Sequence, residues 1–501
     1  MLCVFLCMAF AWAILAGCGA VPGADTDNES SPESTSDAGK ETKSGEDGLF
    51  NEPGQLPIVK EPITLTAGIC ENGLVTDYND NAFTNWLAEQ TGIRLEFTTY
   101  PSNGPEARQK IDLAVTSNQE LPGILFEMGF TNVVRDNYGS SGILLDTSDF
   151  LKKEAHYFNL ELAKVDNGET LKEQIFLYGT SPDGKIYGYP GARESLTDMW
   201  DGRWYINTKW LDALNLEYPK TTDELYTVLK AFKEQDPNGN GQADEIPLMG
   251  SNNGYRQQPE KIILNSFLYA PYDNRLLNNG KVSMAYTQPE YREALRYINR
   301  LVEEELFSPI SFTQDGTQLK AMLDPPADQD TRVGLFAGSP TGLFAADNEK
   351  KLEYSGDFDI IKGPEDVAYT PYTPQYPFAA TTSITKYCEN PEAAFRLLDF
   401  IWTEEASMRL RFGEKGVNWD YAEPGSKGLY ESIGVPALFW QDNAVWGASN
   451  NTIWGINSPA FLPVRICEGT EASKILSDPL ASLGMISKAV IHLVGHAPEE
   501  I

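Results

Sequence analysis

The chain has 501 residues, of which 72 are Asp or Glu and 39 are Lys or Arg, for a net charge of −33. An acidic excess of that size excludes a nucleic-acid partner and a basic face for anionic lipid. Of the three His, His492 and His496 are four apart but have no third ligand near them in sequence, and the six Cys show no disulfide-framework spacing, so neither a transition-metal centre nor a stapled small fold is expected.

Residues 1–18 read M-L-C-V-F-L-C-M-A-F-A-W-A-I-L-A-G-C, an apolar run too short to span a bilayer and closed by small residues. This is the pattern of a secretory signal peptide, here 1–17, although the usual Lys or Arg before the run is missing. Leu15-Ala16-Gly17-Cys18 resembles the lipobox of bacterial lipoproteins, which implies that Cys18 is lipidated and holds the chain on the extracytoplasmic face of the cell membrane. Residues 18–57 then run through Ser, Thr, Asp, Glu, Gly and Pro with hardly an apolar side chain. Such a segment buries too little to offset its chain entropy, so a disordered tether is expected.

The body from residue 58 onward is long for a single core and predicts two lobes. I-T-L-T-A-G-I alternates as a first strand, A-F-T-N-W-L-A-E-Q-T-G (82–92) carries apolar residues at helical spacing with Gly92 as its stop, and I-R-L-E-F-T-T-Y (93–100) alternates again. A helix over 107–117 and a strand over 123–127 repeat the order. A second block follows with strands near 184–193 and 203–207 and a helix over 209–214. This strand and helix alternation predicts an α/β protein built on mainly parallel sheet. Thr222 reads as the cap of the helix in Y-P-K-T-T-D-E-L-Y-T-V-L-K-A-F, with Glu224 in its first turn. An amphipathic helix over 288–304, a buried strand over 332–338 and a helix opening at Asn390-Pro391 complete the pattern, with no fixed-period repeat.

Directly after the capped helix comes D-P-N-G-N-G-Q-A-D-E-I-P (236–247). Asp236, Asn238, Asn240 and Asp244 place side-chain oxygens at positions 1, 3, 5 and 9 of an EF-hand-like loop, and Gln242 can offer its backbone carbonyl. Pro247 occupies position 12, where a bidentate Glu belongs, and Glu245 stands in for it. Gly239 and Gly241 allow the left-handed backbone such wrapping needs. The expected cofactor is a structural calcium ion; the alternative is an Asx-rich turn without an ion.

Several strings, among them N-W-L-A-E-Q-T-G-I, Y-I-N-T-K-W-L-D-A-L, P-K-T-T-D-E-L-Y-T-V-L-K-A-F, I-T-K-Y-C-E-N-P-E-A-A-F-R-L-L-D-F-I and G-E-K-G-V-N-W, resemble the large extracellular solute-binding lipoproteins of bacterial ABC importers, family 1, carbohydrate type. The resemblance runs from about 58 to 490. It implies a type II periplasmic-binding-protein-like fold, with two α/β lobes joined by hinge crossovers. By analogy the N-terminal lobe takes 58–190 plus 373–430 and the C-terminal lobe 191–372 plus 431–501. Members of the family normally continue beyond the point reached at Glu500-Ile501, so a shortened second lobe is expected. The resemblance further implies a monomeric, non-enzymatic receptor that captures an oligosaccharide and delivers it to ABC permease subunits.

Sugars offer apolar ring faces and hydroxyl rims, which proteins meet with aromatic rings and with Asp, Glu, Asn and Arg. Arg193, Glu194 and Trp200 in the first expected hinge run, Tyr376 in the second, and Trp440, Trp446 and Trp454 in F-W-Q-D-N-A-V-W-G-A-S-N-N-T-I-W are the candidate ligand residues. Trp86, Trp210 and Trp402 stand at helical spacing among apolar neighbours and read as core. A peptide-binding lipoprotein of the same fold remains an alternative, and a secreted glycoside hydrolase a further one, although catalytic signatures are missing.

Overall fold

The computed structural model describes residues 48–498, apart from 103, 201, 279, 346, 374–377, 443, 447–448 and 458. The signal peptide, Cys18 and most of the tether lie outside the described residues, and so does Tyr376.

The first strand–helix–strand unit shows how local chemistry sets the elements. The Asn81 side chain accepts the Phe83 N–H and opens the helix Ala82–Thr91; Gly92 closes it in the left-handed region (φ 76°) with its N–H on Ala88. A Cβ at Gly92 would also stand 2.9 Å from Val59. The strand that follows buries its first, third and fifth residues, in period with the alternation of the sequence.

In chain order the strands are β1 (Ile63–Cys70), β2 (Ile93–Tyr100), β3 (Ile124–Phe126), β4 (Tyr189–Arg193), β5 (Trp204–Asn207), β6 (Ile246–Met249), β7 (Arg275–Asn278), β8 (Lys281–Met284), β9 (Val333–Ala337), β10 (Tyr354–Ser355), β11 (Phe378–Ile384), β12 (Trp419–Tyr421), β13 (Phe439–Gln441) and β14 (Phe461–Leu462). Among the described residues six of them form a sheet in the order β14-β4-β11-β3-β1-β2, and four form a second sheet in the order β10-β5-β9-β6. β1 pairs in parallel with β2 and β3, and β14 with β4; β11 is antiparallel to both β3 and β4. All strands of the larger sheet except β11 therefore end at the same edge. In the smaller sheet β6 and β9 are parallel and β5 runs against β9 and β10. β7–β8 and β12–β13 are separate hairpin-like pairs.

Each sheet has its own core. Around the larger one, helix Pro391–Ile401 lays nearly every side chain inward, and Trp402, fully buried, stacks on Phe461 (5.0 Å) and donates its indole N–H to Pro190 O at 2.9 Å. Burial of a large apolar side chain of this kind is worth about 1.5–3 kcal/mol. Around the smaller one, Trp210 meets Phe232 edge-on at 5.2 Å, among residues of helices Thr222–Glu234 and Pro289–Glu303. Trp86 is partly buried against the first core, stacked on Phe400. Residues 431–501, expected with the second lobe, are divided: Phe461–Leu462 pair with β4 in the larger sheet, while helix Ser482–Leu493 contacts helix Pro340–Leu343, which follows β9.

The capping residue before helix Thr222–Glu234 is Thr221, not the expected Thr222. Thr221 is extended (φ −131°, ψ 162°) and its hydroxyl accepts the Glu224 N–H, whereas Thr222 is buried inside the helix and gives its carbonyl to Tyr297. Glu224 reaches back to the Lys220 N–H at 2.7 Å, so the acidic first turn is occupied as expected.

Candidate functional site

In open α/β sheets, ligands bind beyond the carboxyl ends of the strands, where loops supply side chains that the sheet need not hydrogen-bond. At that edge of the larger sheet stand Cys70 at the end of β1, Glu127 after β3 and Arg193 at the end of β4. The corresponding edge of the smaller sheet carries the loop after β6, with Tyr255, Arg256 and Gln257, and Ser339 after β9. Glu127 (φ 45°) and Arg256 (φ 58°) both hold left-handed backbone without being glycine. Such residues cost on the order of 1 kcal/mol each and gather where a side chain must be aimed.

The side chains interlock. Glu127 Oε1 accepts the Asn457 N–H at 3.1 Å. Arg256 lies 3.8 Å over the Tyr272 ring and donates to Thr373 Oγ1 at 3.1 Å. Asp198 takes Arg193 Nη1 on one oxygen at 2.5 Å and the Tyr255 hydroxyl on the other at 3.1 Å, so it joins a residue of the larger sheet to the β6 loop. A cavity of about 290 Å³ is lined by Thr197, Asp198, Arg203, Tyr255, Gln257 and Ser339 together with Leu483 and Ile486.

Near it lies a partly buried ionic group. Arg411, from the last turn of helix Glu404–Phe412, donates to Asn457 Oδ1 at 3.2 Å and stands 5.1 Å from the Trp446 ring. Burial lowers its pKa, and the neighbouring Arg193 acts in the same direction. Glu468 is enclosed, accepts from the Ser195 hydroxyl (2.9 Å) and the Thr197 N–H (3.2 Å), and is pushed up by burial in spite of them. Burial pushes the Cys467 thiol up to about 11, against the pull of Arg411 and Arg193. Although Cys467 keeps some accessible area, protein atoms surround it, and the pKa direction follows that enclosure.

The sequence-predicted ligand residues fare differently. Arg193 and Trp446 come together through Arg411. Glu194 is half-buried and accepts from Asn167 at 2.9 Å; burial raises its carboxyl. Trp200 packs on Tyr372, with ring centroids 4.7 Å apart, beside a cluster that includes Leu429 and Tyr430. Trp440 lies on β13 with the Lys474 ammonium 3.5 Å over its ring. Trp454 is a correction: it is wholly buried, edge-on to Phe83, Phe97 and Phe126, with its indole N–H on Thr84 Oγ1 at 2.8 Å. No ring face of Trp454 is left for a sugar.

Glu127, Tyr255, Arg256, Tyr272, Arg411 and Asn457 were not singled out from the sequence. The first three follow strand ends, a signal that strand placement alone supplies; Arg411 looks there like any basic residue in a last helical turn.

The loop after helix Thr222–Glu234 folds on itself. Asp236 accepts the N–H groups of Asn240 (3.1 Å) and Gly241 (3.0 Å), Asn238 takes the same Asn240 N–H at 3.0 Å, and Asn240 takes that of Gln242 at 2.7 Å. Asn238 and Asn240 both donate their amides to Asp244 Oδ1, at 3.3 and 3.2 Å. Gly239 (φ 70°) and Gly241 (φ 74°) supply the left-handed turns. Glu245 Oε1 is buried with no partner among the described residues, and its carboxyl is raised by burial and then by Asp244 and Asp236. An orphaned carboxylate oxygen beside two more carboxylates fits a hard cation. Among the described residues, however, no group of three or more His, Cys, Asp or Glu side chains is set as a metal cluster.

Among the described residues no helix is long and apolar enough to cross a membrane. The family model described as bacterial extracellular solute-binding protein matches residues 72–408. The fructooligosaccharide ABC transporter substrate-binding protein FusA of Streptococcus pneumoniae is 28 % identical over 353 residues, 68 % of this chain and 61 % of FusA. Lipoprotein LipO of Bacillus subtilis is 26 % identical over 361 residues, 69 % of this chain and 65 % of LipO. The matches thus span under two-thirds of the length of these curated relatives. An EF-hand mutant of the S. pneumoniae FusA in complex with fructo-nystose has the same fold, with TM-score 0.64 and 22 % identity over 87 % of this chain and 84 % of that one.

Proposed function

The chain belongs to the bacterial extracellular solute-binding proteins, and on that premise we propose that it is the substrate-binding lipoprotein of an ABC importer, taking up an oligosaccharide outside the cell. The observation that carries this reading is the linked set of the Trp446 ring under the Arg411 guanidinium and of Arg193 on the Asp198 carboxylate, with Asp198 lining a cavity of about 290 Å³. Rings for sugar faces and charged groups for hydroxyl rims are what a saccharide needs, and FusA is a relative named for fructooligosaccharide.

In this reading the lobes are the two sheets with their helices, and the segments that pass between them act as the hinge. Ligand touching both sides stabilises the closed form, which the permease subunits recognise. Asp198, bonded to Arg193 and Tyr255, is the residue placed to couple the sides. Cys18 carries the lipid, the following residues are the leash, and the receptor works as a monomer on the extracytoplasmic face. Calcium bound by Asp236, Asn238, Asn240, Gln242, Asp244 and Glu245 neutralises the loop and holds it rigid, without chemistry of its own; the EF-hand of FusA supports this role by likeness.

A thermal-shift screen of the purified protein against neutral and acidic oligosaccharides and peptides tests the reading, with product analysis of each sugar. A saccharide-dependent rise with the sugar recovered intact is expected. Stabilisation by peptides alone refutes it in favour of peptide capture, and cleavage of the sugar would make the protein a hydrolase.

A further inference from the structure

Among the described residues, Arg411 has no carboxylate within ion-pair distance. In a chain with 72 acidic against 39 basic residues, a guanidinium lacking a carboxylate within ion-pair distance calls for an explanation. Its hydrogen bond goes to a neutral acceptor, Asn457 Oδ1, and its Nε is buried with no partner among the described residues. The groups that feel its charge are Arg193, Cys467, Asp198 and Glu468. Of these, Arg193 repels it. Asp198 is engaged by Arg193 at 2.5 Å, Glu468 by Ser195 and Thr197, and the Cys467 thiol is neutral at ordinary pH.

Arg411 is half-buried with its Nε enclosed, and drawing part of a guanidinium out of water without an anion in contact costs free energy. A second cation beside it adds to that cost, and Arg193 also has a buried Nε without a partner. Neutral sugar hydroxyls could accept these N–H groups, but they would leave the charge imbalance and the repulsion between the two arginines in place. A carboxylate removes both at once, and the planar fork of a guanidinium matches it in a bidentate fashion. The Trp446 ring, 5.1 Å from Arg411, offers a face for the sugar that bears it.

We infer that the ligand is an acidic oligosaccharide, and that Arg411, steadied by Asn457 and Trp446 and reinforced by Arg193, holds a carboxylate of a uronic acid unit. The inference rests on the saccharide-receptor reading and narrows it.

Isothermal titration of the purified protein with oligogalacturonate, oligoguluronate and hyaluronan oligosaccharides, each beside its carboxyl methyl ester, tests this. A free acid should bind about 30-fold or more tightly than its ester, the scale of a desolvated charge pair. Arg411→Gln should bring that ratio to within about threefold. Arg411→Lys, which keeps the charge but loses the fork, should give an intermediate ratio, and decides the matter if the Gln variant does not fold. Esters or neutral glycans binding as tightly as acids, or an unchanged preference in the Arg411 variants, overturn the inference and leave the saccharide receptor standing. Binding of no saccharide, acidic or neutral, overturns both.

Discussion

Asp399 offers a titration that one substitution removes. Its carboxylate is 2 % exposed and accepts three hydrogen bonds, from the N–H groups of Tyr157 (2.8 Å) and Phe158 (2.9 Å) at the start of helix His156–Leu162, and from the Tyr189 hydroxyl (2.7 Å) on β4. Those bonds favour the charged form, yet burial outweighs them and pushes the pKa from 3.8 to about 6. Because the folded state holds the proton more tightly than the unfolded chain, this group stabilises the fold most below its unfolded pKa, and that contribution is lost as pH rises through the folded value. A rise of that size corresponds to roughly 3 kcal/mol, spread between about pH 4 and pH 7. Asp399→Asn removes the titration. Its amide oxygen can keep Phe158 and Tyr189, but its NH2 then faces the Tyr157 N–H, a conflict of about 1–3 kcal/mol. Urea unfolding of both proteins across this range should show the wild type losing about 3 kcal/mol relative to the variant as pH rises, other groups cancelling in the difference. Parallel profiles would refute the claim that burial, rather than hydrogen bonding, governs Asp399.

Contacts already described set four further outcomes. Trp454→Ala should cost about 3–5 kcal/mol in urea unfolding while the folded fraction keeps its saccharide affinity; loss of affinity at unchanged stability would return this ring to the ligand. The Cys388 and Cys467 thiols, both pushed up to about 11 by burial, should resist a disulfide reagent at mildly alkaline pH until denaturant is added, so rapid native labelling would contradict their enclosure. Calcium at a hundred times its dissociation constant should stabilise the protein by about 2.7 kcal/mol, seen as a melting shift reversed by EGTA and absent in Asp244→Asn. Without calcium, Glu245→Gln should melt higher than wild type, because it removes a carboxyl raised by burial and two neighbouring acids; a lower melting point there argues against an uncompensated charge.

Local signals carried the fold a long way. The stop at Gly92 and the alternation of 93–100 sit where the sequence puts them, because a left-handed residue and a period of two leave little choice. Thr221 and Thr222 are chemically equal as caps, and only burial of the second decides between them. Trp454 misled for a related reason. Its polar flank, which suggests solvent, is consumed in ties to the first helix and its approach: the Asn450 N–H bonds Leu74 O, and the Asn81 amide bonds Ile453 O. The ring between such ties is drawn inward. Arg411 was illegible because what distinguishes it is the lack of a carboxylate in contact among the described residues, and an absence of that kind exists only after distant segments have met.

The pairing of β4 with β14 sets the timetable of folding. β11 fills the gap between β3 and β4, and β14 covers β4, yet these strands come from residues 378–384 and 461–462. A chain emerging from its N-terminus can zip β1, β2 and β3 early, but it must hold β3 and β4 as open edges until most of the remaining sequence has been made. Such edges are slow to satisfy and prone to pair with the wrong strand. The smaller sheet, whose strands all lie between residues 204 and 355, can pair during that wait, with one of its faces left open until Ala489 arrives to pack against Tyr205 and Phe336.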